Sequence, residues 1–236
     1  MPDRKPIVFV TTADTDILAA DRALSSLPDD FPAVRAFNSE SVESSQEQDA
    51  LLDAVEQCGV VVLRLLGGKR ALSQAFDPLV RMCHAQGIPL IACPGHQEWD
   101  QELVTACNVP PSELDAVFSY LIRGGVTNFQ NLFLFLSDSY LGSNYGHEAP
   151  AEVPWEGVYH PDEADGMDAE DFVKRRFRPG RPSVAVLFYR AHWMSGNLQT
   201  VDAMVRRLEE LGANVLPVYS FSLKHNPEGD GQVNRT

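Results

Sequence analysis

The sequence predicts an α/β protein built on parallel sheet, and three observations carry that reading. Short, mainly apolar runs at Ile7–Thr12, Val60–Leu66 (interrupted by Arg64), Ile88–Cys93 and Val184–Phe188 suit strands buried on both faces. Between them lie segments with apolar residues at helical spacing, so strands and helices alternate along the chain. The third observation is a single crossover unit. Val184–Phe188 is followed by a polar loop, then by Leu198, Val201, Val205, Leu208 and Leu211 on one helical stripe that stops at Gly212, then by a second strand at Val215–Tyr219. Parallel neighbours require such a connection.

Taken in order, Ile7–Thr12 is the first strand. A helix follows with Ile17, Ala20, Leu24 and Leu27 inward and Asp14 or Thr15 as its N-cap. Val34–Phe37 reads as a short second strand, and Leu51, Leu52 and Val55 mark a helix running into Val60–Leu66. Asp77 and Pro78 suit a helix start, with Asp capping and Pro at the first helical position, and Ile88–Cys93 is the next strand. Pro111-Ser112-Glu113-Leu114-Asp115 opens another helix with a spacing like a capping box. Val126, Phe129, Leu132, Phe133, Leu136 and Tyr140 then form one face of a long helix. Residues 1–141 are thus expected to form a flavodoxin-like α/β domain.

From 142 to 182 the composition changes, with Pro150, Pro154, Pro161, Pro179, Pro182 and scattered glycines, which reads as an acidic linker. Asp162, Glu163, Asp165, Asp168, Glu170 and Asp171 fit no EF-hand spacing, so solvated charge is the favoured reading over a cation site. Residues 183–236 then begin a second α/β domain. A lone crossover cannot bury a strand on both faces, and the residues after Tyr219 supply no further strand. The second domain is therefore expected to be cut short, with an apolar edge near Val215.

Charge narrows the partners. A formal net charge of −14 argues against nucleic-acid binding, which needs clustered Lys and Arg. No apolar run approaches the ~20 residues that cross a bilayer, and the opening MPDRKPIVFV lacks a signal-peptide core. Cys58, Cys83, Cys93 and Cys107 show no CxxC spacing and read as reduced thiols, so a cytoplasmic location is expected.

The loop Tyr189-Arg190-Ala191-His192-Trp193-Met194-Ser195-Gly196-Asn197 follows a strand at the end where open α/β sheets bind ligands. Arg190 offers a planar fork to carboxylate or amide groups, and His192 a proton acceptor or metal-handling imidazole. Ser195 adds a hydroxyl, and Asn197 also suits a helix cap. Arg64, Gly67 and Gly68 end another strand and could present a cation and backbone N–H groups to an acidic side chain, although a plain glycine turn explains them equally simply. His84, His96, Glu98 and Asp100 are not fixed on one face by their spacing, and His160 between Tyr159 and Pro161 reads as a packing residue. Neither GxxxxGK[ST], GxGxxG nor GxSxG occurs where a nucleotide or hydrolase site would need it.

Four segments together carry a resemblance. Ile7–Asp16, Val62–Gly68, Gly157-Val158-Tyr159-His160-Pro161 and Tyr189–Asn197, in this order and spacing, resemble the large subunit of the cobaltochelatases, related to the porphyrin-binding subunit of magnesium chelatase. The resemblance implies a subunit that takes cobalt(II) and hydrogenobyrinic acid a,c-diamide as substrates in aerobic cobalamin biosynthesis. Mg-ATP would be hydrolysed on separate AAA+ partner subunits. The family's large subunit is several times longer, so the remainder of that subunit is an expected partner and would hold the catalytic residues. The fragment alone is expected to be inactive. Tetrapyrrole-binding residues expected here are Arg190, His192, Ser195, Asn197, Arg64, Gly67 and Gly68, with no catalytic residue, metal ligand or bound cofactor assigned to the chain. A porphyrin-binding subunit of magnesium chelatase and a non-catalytic tetrapyrrole-binding or assembly module are the alternatives.

Overall fold

The apolar runs become strands whose alternate residues serve opposite helical layers. The computed structural model describes residues 5–42, 44–163 and 166–221, and the chain divides into two compact units, Met1–Glu152 and Val153–Thr236.

The first unit runs β1 (Ile7–Thr11), α1 (Asp14–Leu24), β2 (Val34–Asn38), α2 (Ser45–Gln57), β3 (Val60–Leu65), α3 (Phe76–Gln86), β4 (Leu90–Pro94), α4 (Gln101–Ala106), α5 (Pro111–Arg123) and α6 (Val126–Tyr140). Its sheet is parallel throughout with strand order β2-β1-β3-β4, so the order reverses between β1 and β3. Ile7 lies opposite both Val34 and Val60. Val8, Val10, Val61, Leu63 and Leu90 pack with Leu51, Val55, Leu79 and Cys83 of α2 and α3. Ile7, Phe9, Val60, Val62 and Ile91 pack with Ala20, Val117, Phe129 and Phe133 of α1, α5 and α6. Because both faces are covered, the strands need no polar alternation, and each buried aliphatic or aromatic side chain contributes about 1.5–3 kcal/mol. This is the flavodoxin-like α/β arrangement expected from the sequence.

Local details differ from the sequence reading. The residue capping α1 is Ala13, with no side-chain bond, while Asp14 is already helical. The α3 helix starts at Phe76, placing Asp77 and Pro78 inside its first turn, and β4 begins at Leu90 rather than Ile88. No capping box forms at Ser112, because Pro110 and Pro111 fix the start of α5 and put Ser112 within the helix. The box occurs instead at α2, where Ser44 accepts from the Glu47 N–H and Glu47 accepts from the Ser44 N–H.

The second unit contains β5 (Glu156–Val158), α7 (Ala169–Arg176), β6 (Ser183–Tyr189), α8 (Arg190–Ser195), α9 (Gln199–Glu210) and β7 (Asn214–Ser220). Its strand order is β5-β7-β6, with β6 and β7 parallel and β5 antiparallel to β7. The segment read as linker thus carries a strand and a helix. Two expectations are corrected. β7 does not lack neighbours, since β6 flanks it along its whole length and residues 156–158 pair with Val218–Ser220, and the Val215 side chain is buried. β6 is an edge strand and is not buried on both faces: Val186 and Phe188 are buried while Ala185, Leu187 and Tyr189 are exposed.

Charges from the acidic stretch are used locally. Asp168 caps α7, Glu163 pairs with Arg175 and Arg176, and Asp162 pairs with Arg206; Asp165 lies outside the described residues. His160 is buried against Phe172 and lies 3.2 Å from Glu209. Gly157 is a close-approach position, where a Cβ would stand 2.5 Å from the Tyr219 hydroxyl.

Candidate functional site

In the first unit the carboxyl ends of β1 and β3 meet at the reversal of strand order, the usual ligand position in such sheets. Here side chains fill it. Arg64 donates to Asp16 at 2.7 Å, and the Thr11 hydroxyl donates to the other Asp16 oxygen at 2.7 Å. The Leu66 N–H is taken by the Thr12 hydroxyl at 3.1 Å. Beyond it the chain turns through Gly67 and Gly68, both at positive φ (94° and 65°). A Cβ on Gly68 would meet the Asp100 carboxylate at 2.5 Å, and Asp100 is itself held as the cap of α4. Arg64, Gly67 and Gly68 are therefore contiguous, with Arg64 committed to an ion pair and Gly67 exposed to solvent.

The second candidate lies in the second unit. The loop after β6 is helical from its first residue. α8 starts at Arg190 and ends at Gly196, whose φ of 65° is the left-handed stop. Arg190 is 1% exposed, donates to the Val153 carbonyl at 3.0 Å and lies 4.7 Å over the Trp155 ring. Ser195 is also buried, its hydroxyl donating to the His192 carbonyl at 3.3 Å. His192 is half-buried and Asn197 is exposed. Trp193 lies flat on Tyr219, centroids 4.4 Å apart and planes within 5°. Asn197 does not cap α9; the capping position is Leu198, without a side-chain bond. Of the expected residues here, Arg190 and Ser195 face the interior and His192 and Asn197 reach water.

A third feature escaped the sequence reading. Arg176, Arg178, Arg181, Glu209 and Asn214 line an open cavity of about 370 Å³. Asn214 holds the loop beneath it, accepting from the Arg178 N–H at 2.8 Å and donating to the Arg178 carbonyl at 3.0 Å. The signal was present as the run Lys174-Arg175-Arg176-Phe177-Arg178-Pro179-Gly180-Arg181, a basic stretch in an acidic chain.

Acid–base and metal chemistry find little purchase elsewhere. Among the described residues no group of three or more His, Cys, Asp or Glu is placed to hold a metal ion. His84 is bonded to the Ala106 carbonyl at 2.9 Å. Burial pushes the Cys58 thiol up to about 11 and Cys83 up to about 12, so neither is a nucleophile at neutral pH. Among the described residues no helix is long and apolar enough to cross a membrane.

Comparison with known proteins gives these positions a family. The family model described as CobN/Magnesium Chelatase matches residues 118–235. The aerobic cobaltochelatase subunit CobN of Pseudomonas aeruginosa is 28% identical over 221 residues, 93% of this chain and 18% of that protein. The H-type magnesium-chelatase subunit of Chlorobaculum parvum is 30% identical over 114 residues, 46% of this chain and 9% of that protein. Among solved structures, the catalytic subunit of cobaltochelatase from Mycobacterium tuberculosis superposes with a TM-score of 0.62 at 28% identity, covering 94% of this chain and 17% of that one. The chain spans less than a fifth of the length of these relatives. With a family model covering half of its residues and a fold shared over nearly all of them, the chain belongs to the CobN/magnesium chelatase family.

Proposed function

We propose that this chain is the amino-terminal part of the tetrapyrrole-binding large subunit of a cobaltochelatase. The complete enzyme would insert cobalt(II) into hydrogenobyrinic acid a,c-diamide in the cytoplasm, with Mg-ATP hydrolysed on AAA+ partner subunits. The observation that carries the reading is the extent of the likeness: 93% of the chain matches the Pseudomonas aeruginosa CobN subunit, whereas the magnesium-chelatase relative matches 46%.

Metal insertion requires removal of two pyrrolic protons from the macrocycle and of water from the ion. The groups for those steps are assigned to the remainder of the large subunit, and this chain contributes to holding the tetrapyrrole. In α8 the half-buried His192, beside the stacked Trp193 and Tyr219, is the side chain best placed to meet a ligand. Arg190, buried at the start of the helix, ties it to the Val153 carbonyl.

The test is a chimera in which this chain replaces the matching 221 residues of the Pseudomonas aeruginosa protein. Tetrapyrrole binding is followed by the absorbance of the macrocycle. The chimera binds the tetrapyrrole, and with partner ATPases and ATP it takes up cobalt; the isolated chain does neither insertion nor ATP hydrolysis. His192→Ala in the chimera weakens tetrapyrrole binding about tenfold, near 1.4 kcal/mol. A folded chimera that binds no tetrapyrrole, or an isolated chain that inserts cobalt, overturns the reading.

A further inference from the structure

We infer that the outer edge and open face of β6 form a docking surface for the body of a CobN-type large subunit, which supplies a parallel strand beside β6 and a covering layer over Leu187 and Tyr189. The identity of this partner rests on the function proposed above; the incompleteness of the surface does not.

The first unit of the same chain shows what such a strand looks like when complete. There β1 leads through α1 to β2, and β3 then pairs with the other side of β1, leaving all of β1 buried. The second unit repeats the opening of that pattern: β6 leads through α8 and α9 to its parallel partner β7. On its other side β6 pairs with no strand among the described residues. A parallel strand directs the N–H and C=O groups of alternate residues to each side, so half of the β6 backbone groups point to a side where no described strand receives them.

The side chains make the same point. Leu187 is 62% exposed and Tyr189 47%, with Ala185 exposed between the same rows, while Val186 and Phe188 on the opposite face are buried. Natural edge strands are short or carry charge or proline that blunts them. The other edges in the described sheets are blunted or covered: β5 has 3 residues and includes Glu156, β2 carries the exposed Arg35, and β4 ends at Pro94 with its outward Leu90 and Ala92 N–H groups taken by Asn108 and Cys107. β6, with sequence SVAVLFY, has 7 residues and none of these protections. It has the composition of an interior strand in an edge position.

Residues 222–236, SLKHNPEGDGQVNRT, lie outside the described residues, and their sequence contains only Leu223 and Val233 as aliphatics. A second copy pairing edge to edge about a two-fold axis would set the β6 strands antiparallel, whereas the likeness to β1, flanked by parallel strands on both sides, calls for a parallel neighbour. The family's large subunits hold more than four-fifths of their length outside the region matched here. That body is the source the topology calls for.

Amide hydrogen exchange on the isolated chain and on the Pseudomonas aeruginosa chimera tests this. Amides of β6 slow about tenfold or more in the chimera, while β1 amides, as folding control, exchange alike in both. Leu187→Asp leaves the Tm of the isolated chain unchanged and removes the β6 protection in the chimera. A second chimera carrying only residues 153–236 provides the same comparison should the first not fold. Equal β6 exchange in chimera and isolated chain overturns the inference. So does an isolated chain that dimerises with β6 protected and dissociates on Leu187→Asp, which makes a second copy the occupant. Protection of β6 in a chimera that binds no tetrapyrrole upholds the docking surface and sinks the functional reading instead.

Discussion

Arg64 of β3 and Asp16 of α1 meet at 2.7 Å across the point where the strand order of the first sheet reverses, with side chains only 15% and 10% exposed. The Thr11 hydroxyl completes the carboxylate's partners at 2.7 Å. A position that in open α/β sheets commonly receives a ligand is here filled by the protein's own charges.

Removing one partner strands the other. Asp16→Ala is expected to lower unfolding stability by about 3 kcal/mol, because it leaves the Arg64 guanidinium poorly solvated and uncompensated. In a double-mutant cycle with Arg64→Ala in urea, the two losses should fall short of additivity by ~1–3 kcal/mol. Strict additivity would show that the pair is not coupled.

Glycines in the adjoining turns separate strain from collision. A Cβ at Gly95 would stand 2.7 Å from the Leu66 backbone nitrogen, whereas at Gly67, φ 94°, nothing lies within 4 Å. Gly67→Ala should therefore cost about 1–2 kcal/mol from the left-handed backbone alone. Gly95→Ala should cost more, about 2–4 kcal/mol, since backbone must move. Thermal unfolding of the two variants ranks them.

Acid should weaken both units through depressed carboxyls. Burial opposes ionisation of Glu209, but Arg176 at 2.8 Å and His160 at 3.2 Å outweigh it and hold the carboxyl below its ordinary 4.5. Burial likewise opposes Asp138, and the Tyr145 and Gly146 N–H groups with the Ser143 hydroxyl prevail, holding it below 3.8. A folded value below the unfolded one means the stabilisation is whole above the ordinary value and is lost as pH falls through the folded one. Glu209→Gln should flatten the acid limb of the stability profile of the second unit, read by tryptophan fluorescence, and Asp138→Asn should leave that limb unchanged.

Arg190 and His192 stand two residues apart in α8 and should respond oppositely. Arg190→Ala is expected to destabilise the second unit by about 3 kcal/mol through loss of its contacts with Trp155 and the Val153 carbonyl. Arg190→Lys should not restore it, since an ammonium cannot stack as the planar guanidinium does. His192→Ala should change stability by less than about 0.5 kcal/mol. Urea midpoints of the three variants decide the matter.

Most of the first unit was legible because β1, β3 and β4 are apolar on both faces and its main helices are long, whereas the six-residue α4 gave no such local sign and was missed. Val60–Leu66 and Val126–Tyr140 are cases where period and length agree. Much of the second unit was not. β5 is a strand only because Glu156, Gly157 and Val158 register against Ser220, Tyr219 and Val218, some sixty residues later, and a segment rich in Gly and Pro gives no local sign of that pairing. α7 hid because Phe172 is its single buried residue. The sequence of β6 looked interior, and its exposed face is visible only once its neighbours are known. The candidate loop was legible by position, but the inward turn of Arg190 depended on Trp155 and Val153, which the sequence does not connect to it.

The flat stack of Trp193 on Tyr219 gives the molecule an optical handle on α8. The transitions of two aromatic rings stacked with nearly parallel planes at this distance couple, and the coupling depends on their mutual orientation. A movement of α8 against β7 that leaves every backbone hydrogen bond in place would still alter the near-ultraviolet dichroism. The segment that faces ligand in the proposed function is thus read by light without any added label.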